Sequence, residues 1–343
     1  MNIQEALGLI VEGQNLSREE TQAVFQLIMT GEATPAQIGA FLAAIRVKGE
    51  TPEEIAGAAT VMRSLSTKVA VEHPNLIDTC GTGGSGVKLF NISTAAAFVA
   101  AAAGAKVAKH GNRKMTSFSG SADVLENAGV NLNLSPEQIG TCILDVGVGF
   151  MFAQAHHSAM RFAGPVRQEI GVRTMMNVLG PMTNPAGAKR QVIGVFSSAW
   201  QKKMADVLNI LDAEHAMIVH SEGLDEIRLN APTKVVELKA GQIEEYEIAP
   251  TDFDLPMRSA ADMESLQATS TEDSLRLVKE SMTDPDSLAA EIVSLNAGAA
   301  IYVAGIATNL ANGVGMAQDA IAAGLANERL AELVRVSKLM GES

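Results

Sequence analysis

The stretch Asp78–Thr94, DTCGTGGSGVKLFNIST, sets four glycines in six positions, Gly81, Gly83, Gly84 and Gly86, with only Thr82 and Ser85 between them. Glycine costs conformational entropy on folding and adds nothing to packing, so such a run marks backbone that something must approach closely. LIDTC before it reads as a short strand, and Ser93–Ala103 after it as a helix. Three ligands compete for a glycine loop so placed: a dinucleotide, a nucleoside triphosphate, or a different phosphate ester.

A triphosphate loop of the G-x-x-x-x-G-K-[ST] kind fails, because Val87 stands where the lysine belongs and Lys88 where the hydroxyl belongs. A dinucleotide fold matches G-x-G-x-x-G at Gly81–Gly86 but also needs an acid about twenty residues on to hold the ribose. No Asp or Glu occurs from Ser85 to Ala122, and the same stretch holds Lys88, Lys106, Lys109, Arg113 and Lys114. Loop amides, a helix start at Asn91–Thr94 and a following basic loop together describe an anion cradle. NIST at Asn91–Thr94 suits helix capping or phosphate contacts. The loop KHGNRKMTSFSGSAD, Lys109–Asp123, follows a second strand. Two such loops at neighbouring strand ends would face one polyphosphate from two sides. A polyanion of this kind arrives with Mg²⁺, for which Asp225–Glu226, after the strand AMIVHS, are the candidate carboxylates.

Composition bounds the rest. At 343 residues, 47% hydrophobic and 19% charged, the chain suits an ordered globular protein with ample core. The net charge of -13 and an aromatic content of 4% oppose a nucleic-acid surface, which needs a basic footprint and stacking platforms. Cys80 and Cys142 have no metal-ligand spacing and read as free thiols of a reducing cytoplasm. MNIQEALGLIVEGQNL lacks the basic start and apolar run of a signal peptide, and AAAFVAAAAGAKVA is too short to cross a bilayer.

The expected fold class is α/β: a small N-terminal helical domain, then a larger domain with a mainly parallel sheet flanked by helices. Ser17–Glu20, Thr34–Gln37 and Thr51–Glu54 are capping boxes that start helices within residues 1–70. Part of 160–187, expected to be mostly helical, packs on them. Residues 71–75, within EHPNL, form a hinge. Residues 76–343 alternate strands (LIDTC, AKVAKH, VGVGFMF, RQVIGVFS, AMIVHS) with helices, as a parallel sheet requires. Residues 260–286 read as an acidic, helical, solvated face.

These segments in this order resemble the anthranilate phosphoribosyltransferases along effectively the whole chain. The strings are Gly81–Gly84, Asn91–Thr94, Lys109–Arg113, GSADVLE, AHHSAM, GPVRQEIGVRT, GPMTNP and GLDE. The resemblance implies transfer of the phosphoribosyl group of phosphoribosyl pyrophosphate to anthranilate, with Mg²⁺, by a homodimer joined through its helical part. By analogy, Gly81, Gly84, Ser85, Asn91, Ile92, Ser93 and Thr94 hold the pyrophosphate end of the donor. Lys109, Gly111, Asn112, Arg113, Thr116, Ser117 and Ser121 hold its remainder. Gly81, Asn112 and Arg167 bind anthranilate, and Ser93, Asp225 and Glu226 bind the metal. Pro165 is expected to restart a helix whose N-terminus joins Arg167 at the carboxylate. His110, His156 and His157 are read as pocket lining, since an aromatic amine needs no strong base.

Two positions depart from the family pattern: Ser85 where Asp is usual, and Leu89 where Thr is usual. No phosphate contact is carried onto the Leu89 side chain. The rival readings are a pyrimidine nucleoside phosphorylase of similar architecture and a non-catalytic nucleic-acid-binding relative.

Overall fold

The computed structural model describes residues 1–84, 86–113 and 118–341. Four helices come first: α1 (Ile3–Val11), α2 (Arg18–Thr30), α3 (Pro35–Lys48) and α4 (Pro52–Leu65). The capping boxes at Ser17, Thr34 and Thr51 form as the sequence requires, and a fourth closes on Asn2. Each such cap stabilises its helix by about 1 kcal/mol. Glu54 does more than cap. It is fully buried, takes Lys48 Nζ at 3.0 Å and the Leu16 N–H at 2.9 Å, and so ties α4 to α3 and to the α1–α2 turn. Phe25 and Phe41 meet edge-on at 6.1 Å in the core beneath. Truncating either to Ala would cost about 3–5 kcal/mol.

The remaining elements are β1 (Leu76–Gly81), α5 (Ile92–Ala102), β2 (Lys106–Gly111), α6 (Ser121–Ala128), α7 (Pro136–Thr141), β3 (Val148–Phe152), α8 (Ala153–His156), α9 (Met160–Ile170), β4 (Arg190–Gly194), α10 (Gln201–Ile210) and β5 (His215–His220). After them come β6 (Thr233–Lys239), β7 (Gln242–Ile248), α11 (Ala260–Ser265), α12 (Thr271–Thr283), α13 (Leu288–Val303), α14 (Leu310–Ala322) and α15 (Leu325–Gly341). Among the described residues seven strands form one sheet in the order β3-β2-β1-β4-β5-β6-β7. The first five are parallel, whereas β6 and β7 add an antiparallel hairpin.

Alternation along the strands sorts two cores. Met217 and Val219 face α5 and α12–α15, while Ala216 and Ile218 face α10 and the N-terminal helices. The order places β1 and β4 side by side where the chain reverses direction across the sheet, and ligands of open α/β folds bind at the carboxyl ends of such a pair.

Three expectations change. Only Met160–Ile170 of the 160–187 segment is α-helical, and short 3-10 turns at Met175–Asn177 and Gly180–Thr183 follow, because Gly171, Gly180, Pro181 and Pro185 interrupt the pattern. That helix does lie on the N-terminal ones: a Cβ added to Gly31 would meet the Phe162 ring at 2.5 Å. Pro165 restarts nothing and sits inside α9, leaving Arg167 near the helix C-terminus. Finally, α12 is not a solvated face, since Leu275, Leu277, Val278 and Met282 are buried. No helix among the described residues is long and apolar enough to cross a membrane.

Candidate active site

Gly81 ends β1 and Gly194 ends β4 in direct register, and the Thr82 N–H donates to the Gly194 carbonyl at 2.8 Å. Gly83, Gly84 and Gly86 then adopt φ of +66°, +78° and +79°, which side chains strain against. The Gly84 carbonyl accepts from the Arg173 guanidinium at 2.5 Å, and that guanidinium lies 4.2 Å over the Phe196 ring. The loop is anchored on its far side as well. Phe90 N–H donates to Leu266 O and Ala268 N–H to Lys88 O, so residues 88–90 pair with 266–268. Leu89 is consumed in this seam, opposite Gln267 and against the core. Ser85, Thr116 and Ser117, three expected donor-site residues, lie outside the described residues.

Ser93, at the start of α5, is where the charged groups meet. Its N–H donates to Glu226 Oε1 at 3.2 Å, and Lys109 Nζ reaches its carbonyl at 3.3 Å and its hydroxyl at 3.4 Å. Lys109 also donates to the Thr79 carbonyl at 2.5 Å. It is only 2% exposed, and burial pulls its pKa down. Burial, and then the neighbouring Asp225, push the Glu226 carboxyl up to about 8. Glu226, its proton affinity raised by burial and by the neighbouring Asp225, lies with that second carboxylate beside the Ser93 hydroxyl as a set of hard oxygen donors. They fit Mg²⁺, which takes few protein ligands and completes its shell from water and phosphate.

The other residues of this half are distributed as follows. Asn91 does not cap α5; its side chain accepts from Ser274 Oγ at 2.7 Å and donates to Ser119 O at 3.4 Å. Ile92 is buried, so its side chain belongs to the core. Thr94 Oγ1 is buried without a hydrogen-bond partner among the described residues. Asn112 accepts from the Arg113 N–H, and Ser121 Oγ lies 3.5 Å from the Asn112 carbonyl. A Cβ on Gly111 would collide with Ser121 Oγ, which accounts for glycine there. Arg113 is committed to Glu126 and Asp123, so the acids just beyond the basic loop compensate it.

Arg167, expected at the acceptor, lies on α9. Arg167 is half-buried, burial lowers its pKa, and among the described residues its guanidinium has no hydrogen-bond or ion-pair partner. Lying at the C-terminal end of α9, it draws no help from a helix N-terminus. His110 and His157 face each other with ring centroids 5.1 Å apart.

Sequence reasoning missed four residues. Asp78, fully buried, accepts from the His110 N–H at 3.1 Å and from Asn184 Nδ2 at 2.8 Å, which fixes the ends of β1 and β2 to the 180–184 turn. An acid inside the apolar strand LIDTC was its signal. Gly194 leaves room for the Asp225 backbone to cross over β4. Arg173 had no signal beyond its place in GVRT.

Residues 73–327 match the model of a glycosyl transferase family, a/b domain, and residues 4–66 that of its helical bundle domain. An anthranilate phosphoribosyltransferase from Saccharophagus degradans is 54% identical over 99% of this chain and 100% of its own length. The chain belongs to the anthranilate phosphoribosyltransferases. The crystal structure of the family member from Thermus thermophilus aligns with a TM-score of 0.91 at 40% identity, covering 97% of this chain and 99% of that one. The Saccharomyces cerevisiae enzyme, solved in complex with PRPP and Mg, shares the fold at 22% identity, with a TM-score of 0.88 and 98% of each chain covered.

Proposed function

We propose that this chain transfers the 5-phosphoribosyl group of phosphoribosyl pyrophosphate to the amine of anthranilate, giving N-(5-phosphoribosyl)anthranilate and pyrophosphate for tryptophan biosynthesis. The observation that carries this reading is the meeting of Lys109 and Glu226 at Ser93, with the Asp225 carboxylate against Gly81, at the switch point of the sheet. The pyrophosphate end lies against bare backbone at Gly81 and Gly84, with Ser85 and Asn91–Thr94 around it. Ser93 and Thr94 offer hydroxyls, Asn91 its amide and Ile92 its backbone. Lys109, Gly111, Asn112, Arg113, Thr116, Ser117 and Ser121 hold the remainder of the donor. Lys109 supplies a fixed positive charge close to the bond that breaks.

Ser93, Asp225 and Glu226 hold Mg²⁺, which neutralises charge developing on the leaving pyrophosphate. Arg167 pairs with the anthranilate carboxylate, and Asn112 and the Gly81 backbone complete the acceptor site. Positioning the amine against C1 is the main work left to the protein. The helical part, residues 1–70 with part of 160–187, moves against 76–343 about the 71–75 hinge. It also carries exposed Val11 and Val47, apolar surface that a second copy would cover.

Anthranilate fluorescence tests the reading. The signal falls only when the protein, phosphoribosyl pyrophosphate and Mg²⁺ are all present. A constant signal, with phosphorolysis of uridine or thymidine instead, overturns it in favour of a nucleoside phosphorylase.

A further inference from the structure

A buried serine inside a helix usually returns its hydroxyl proton to a carbonyl of the preceding turn. Ser281 on α12, Ser294 on α13 and Ser337 on α15 all do so, bonding the carbonyls of Val278, Glu291 and Val334. Ser274, 1% exposed in the first turn of α12, does not. Its Oγ accepts the Asn91 N–H at 3.1 Å and donates to Asn91 Oδ1 at 2.7 Å, across 183 positions of chain. At the other end of the same amide, Asn91 Nδ2 donates to the Ser119 carbonyl at 3.4 Å. The two contacts agree on which end is which, because a reversed amide would set its oxygen against a carbonyl oxygen.

Asn91 thereby gives up the role its position offers. The residue before a helix caps it best through a side-chain oxygen, yet Asn91 makes no side-chain cap bond to α5. Its oxygen is taken by Ser274, and its Nδ2 end lies toward Ser119, just before Ser121 and the second loop expected at the donor. Ionised pyrophosphate oxygens accept hydrogen bonds and cannot donate them, so only the Nδ2 end of Asn91 is of use to that group. Among the described residues, one of the two Nδ2 protons has no partner.

We propose that Ser274 is a positioning residue for the donor: it holds Asn91 Oδ1 away from the α5 cap and so points the Nδ2 protons at the pyrophosphate group. The proposal rests on the phosphoribosyl-transfer reading above, which places Asn91 at the pyrophosphate. Helix α12 is a firm mount for this contact. Leu275, Leu277, Val278 and Met282 bury it in the core, and residues 266–268 before it pair with 88–90 of the glycine loop. Without the Ser274 hydroxyl, the Asn91 amide is free to turn and cap α5 with its oxygen, which withdraws Nδ2 from the donor.

Wild-type turnover and the pyrophosphate affinity of Asn91→Ala are measured first. If anthranilate is not consumed, or if Asn91→Ala binds pyrophosphate with Mg²⁺ as wild type does, the parent reading fails whatever Ser274 does. Otherwise titration calorimetry with pyrophosphate and Mg²⁺ is run on Ser274→Ala and on the double variant. Ser274→Ala should bind pyrophosphate roughly 10-fold more weakly, the lower end for a charge-assisted hydrogen bond, with the anthranilate KM at saturating donor unchanged. In the Asn91→Ala background the same substitution should add no more than about 2-fold, because it acts through Asn91. A purely structural role would weaken both ligands and add in full to Asn91→Ala. Either of those results, or wild-type pyrophosphate affinity in Ser274→Ala, overturns the proposal. A second measurement needs no Ser274 variant. In wild-type protein labelled with ¹⁵N-asparagine, the Asn91 side-chain amide signals, assigned by their absence from Asn91→Ala, should shift on adding pyrophosphate and Mg²⁺. Unmoved signals at saturation, in a protein whose Asn91→Ala variant binds more weakly, overturn it equally.

Discussion

Gly194→Ala should separate the metal-binding loop from the rest of the site without unfolding the protein. An added Cβ would stand 2.5 Å from the Asp225 carbonyl carbon and 3.1 Å from its Cβ, whereas ordinary contact begins at 3.4 Å. Gly194 itself cannot retreat, because β4 pairs with Gly81 on one side and Val219 on the other, and its carbonyl takes the Thr82 N–H. The nearest atom, the Asp225 carbonyl oxygen, would overlap the new Cβ outright, so the Asp225 backbone must withdraw by well over 1 Å; a displacement of about 1 Å already costs roughly 10²-fold in rate when it falls on catalytic groups. Glu226 is next in the chain and loses its 3.2 Å contact with the Ser93 N–H. Strain from one extra methyl costs about 1–3 kcal/mol. Initial rates over a range of Mg²⁺, beside a thermal melt, read both effects. The variant should melt near wild type, need more Mg²⁺ and turn over far more slowly. Wild-type rates at limiting Mg²⁺ would refute the reasoning.

Arg167→Gln should raise the anthranilate KM roughly 10- to 150-fold, the loss of about 1.5–3 kcal/mol from a charge-assisted hydrogen bond. Its melting midpoint should not fall, because an unpaired half-buried charge is being removed; steady-state kinetics and calorimetry check both. Lys109→Met should cut kcat/KM for phosphoribosyl pyrophosphate by roughly 10²–10³, as expected for loss of a preorganised charge, and leave free anthranilate binding unchanged. Glu237 gives an acid-stability test away from the site. Burial alone would raise its carboxyl, but His215, Tyr246 and Tyr302 outweigh this and bring it to about 2. Its contribution is present above the ordinary Glu range and is lost as pH falls towards 2. The melting midpoint of wild type should therefore drop more steeply between about pH 4.5 and 2 than that of Glu237→Gln; parallel curves would contradict the assignment.

The helical N-terminus and the strand–glycine loop–helix unit were legible because their signals are local. Capping boxes, apolar spacing and the need for positive φ act within a few residues. The β6–β7 hairpin was not, because QIEEYEI presents mostly polar, exposed residues and reads as solvated chain. Its strand character comes from pairing with β6, beyond the reach of periodicity. The glycine loop, Lys109 and Asp225–Glu226 were found as separate strings, and folding brings Lys109 and Glu226 together at Ser93. Asn184 and Gly194 were invisible, and Asp78 was overlooked despite its signal, for the opposite reason. Their importance lies in contacts made across strands, such as Asn184 reaching Asp78 over 106 positions. The helix start expected at Pro165 failed because a proline inside a helix and one at its first position look alike in sequence.

The most direct test of phosphoribosyl transfer at this site is the stoichiometry of a single reaction mixture. Purified protein, Mg²⁺, phosphoribosyl pyrophosphate and anthranilate should yield pyrophosphate and N-(5-phosphoribosyl)anthranilate in equal amounts, with replacement of Asp225 and Glu226 by Ala abolishing both. Pyrophosphate release that is indifferent to anthranilate, or product formed at the wild-type rate by the doubly replaced protein, would contradict the account.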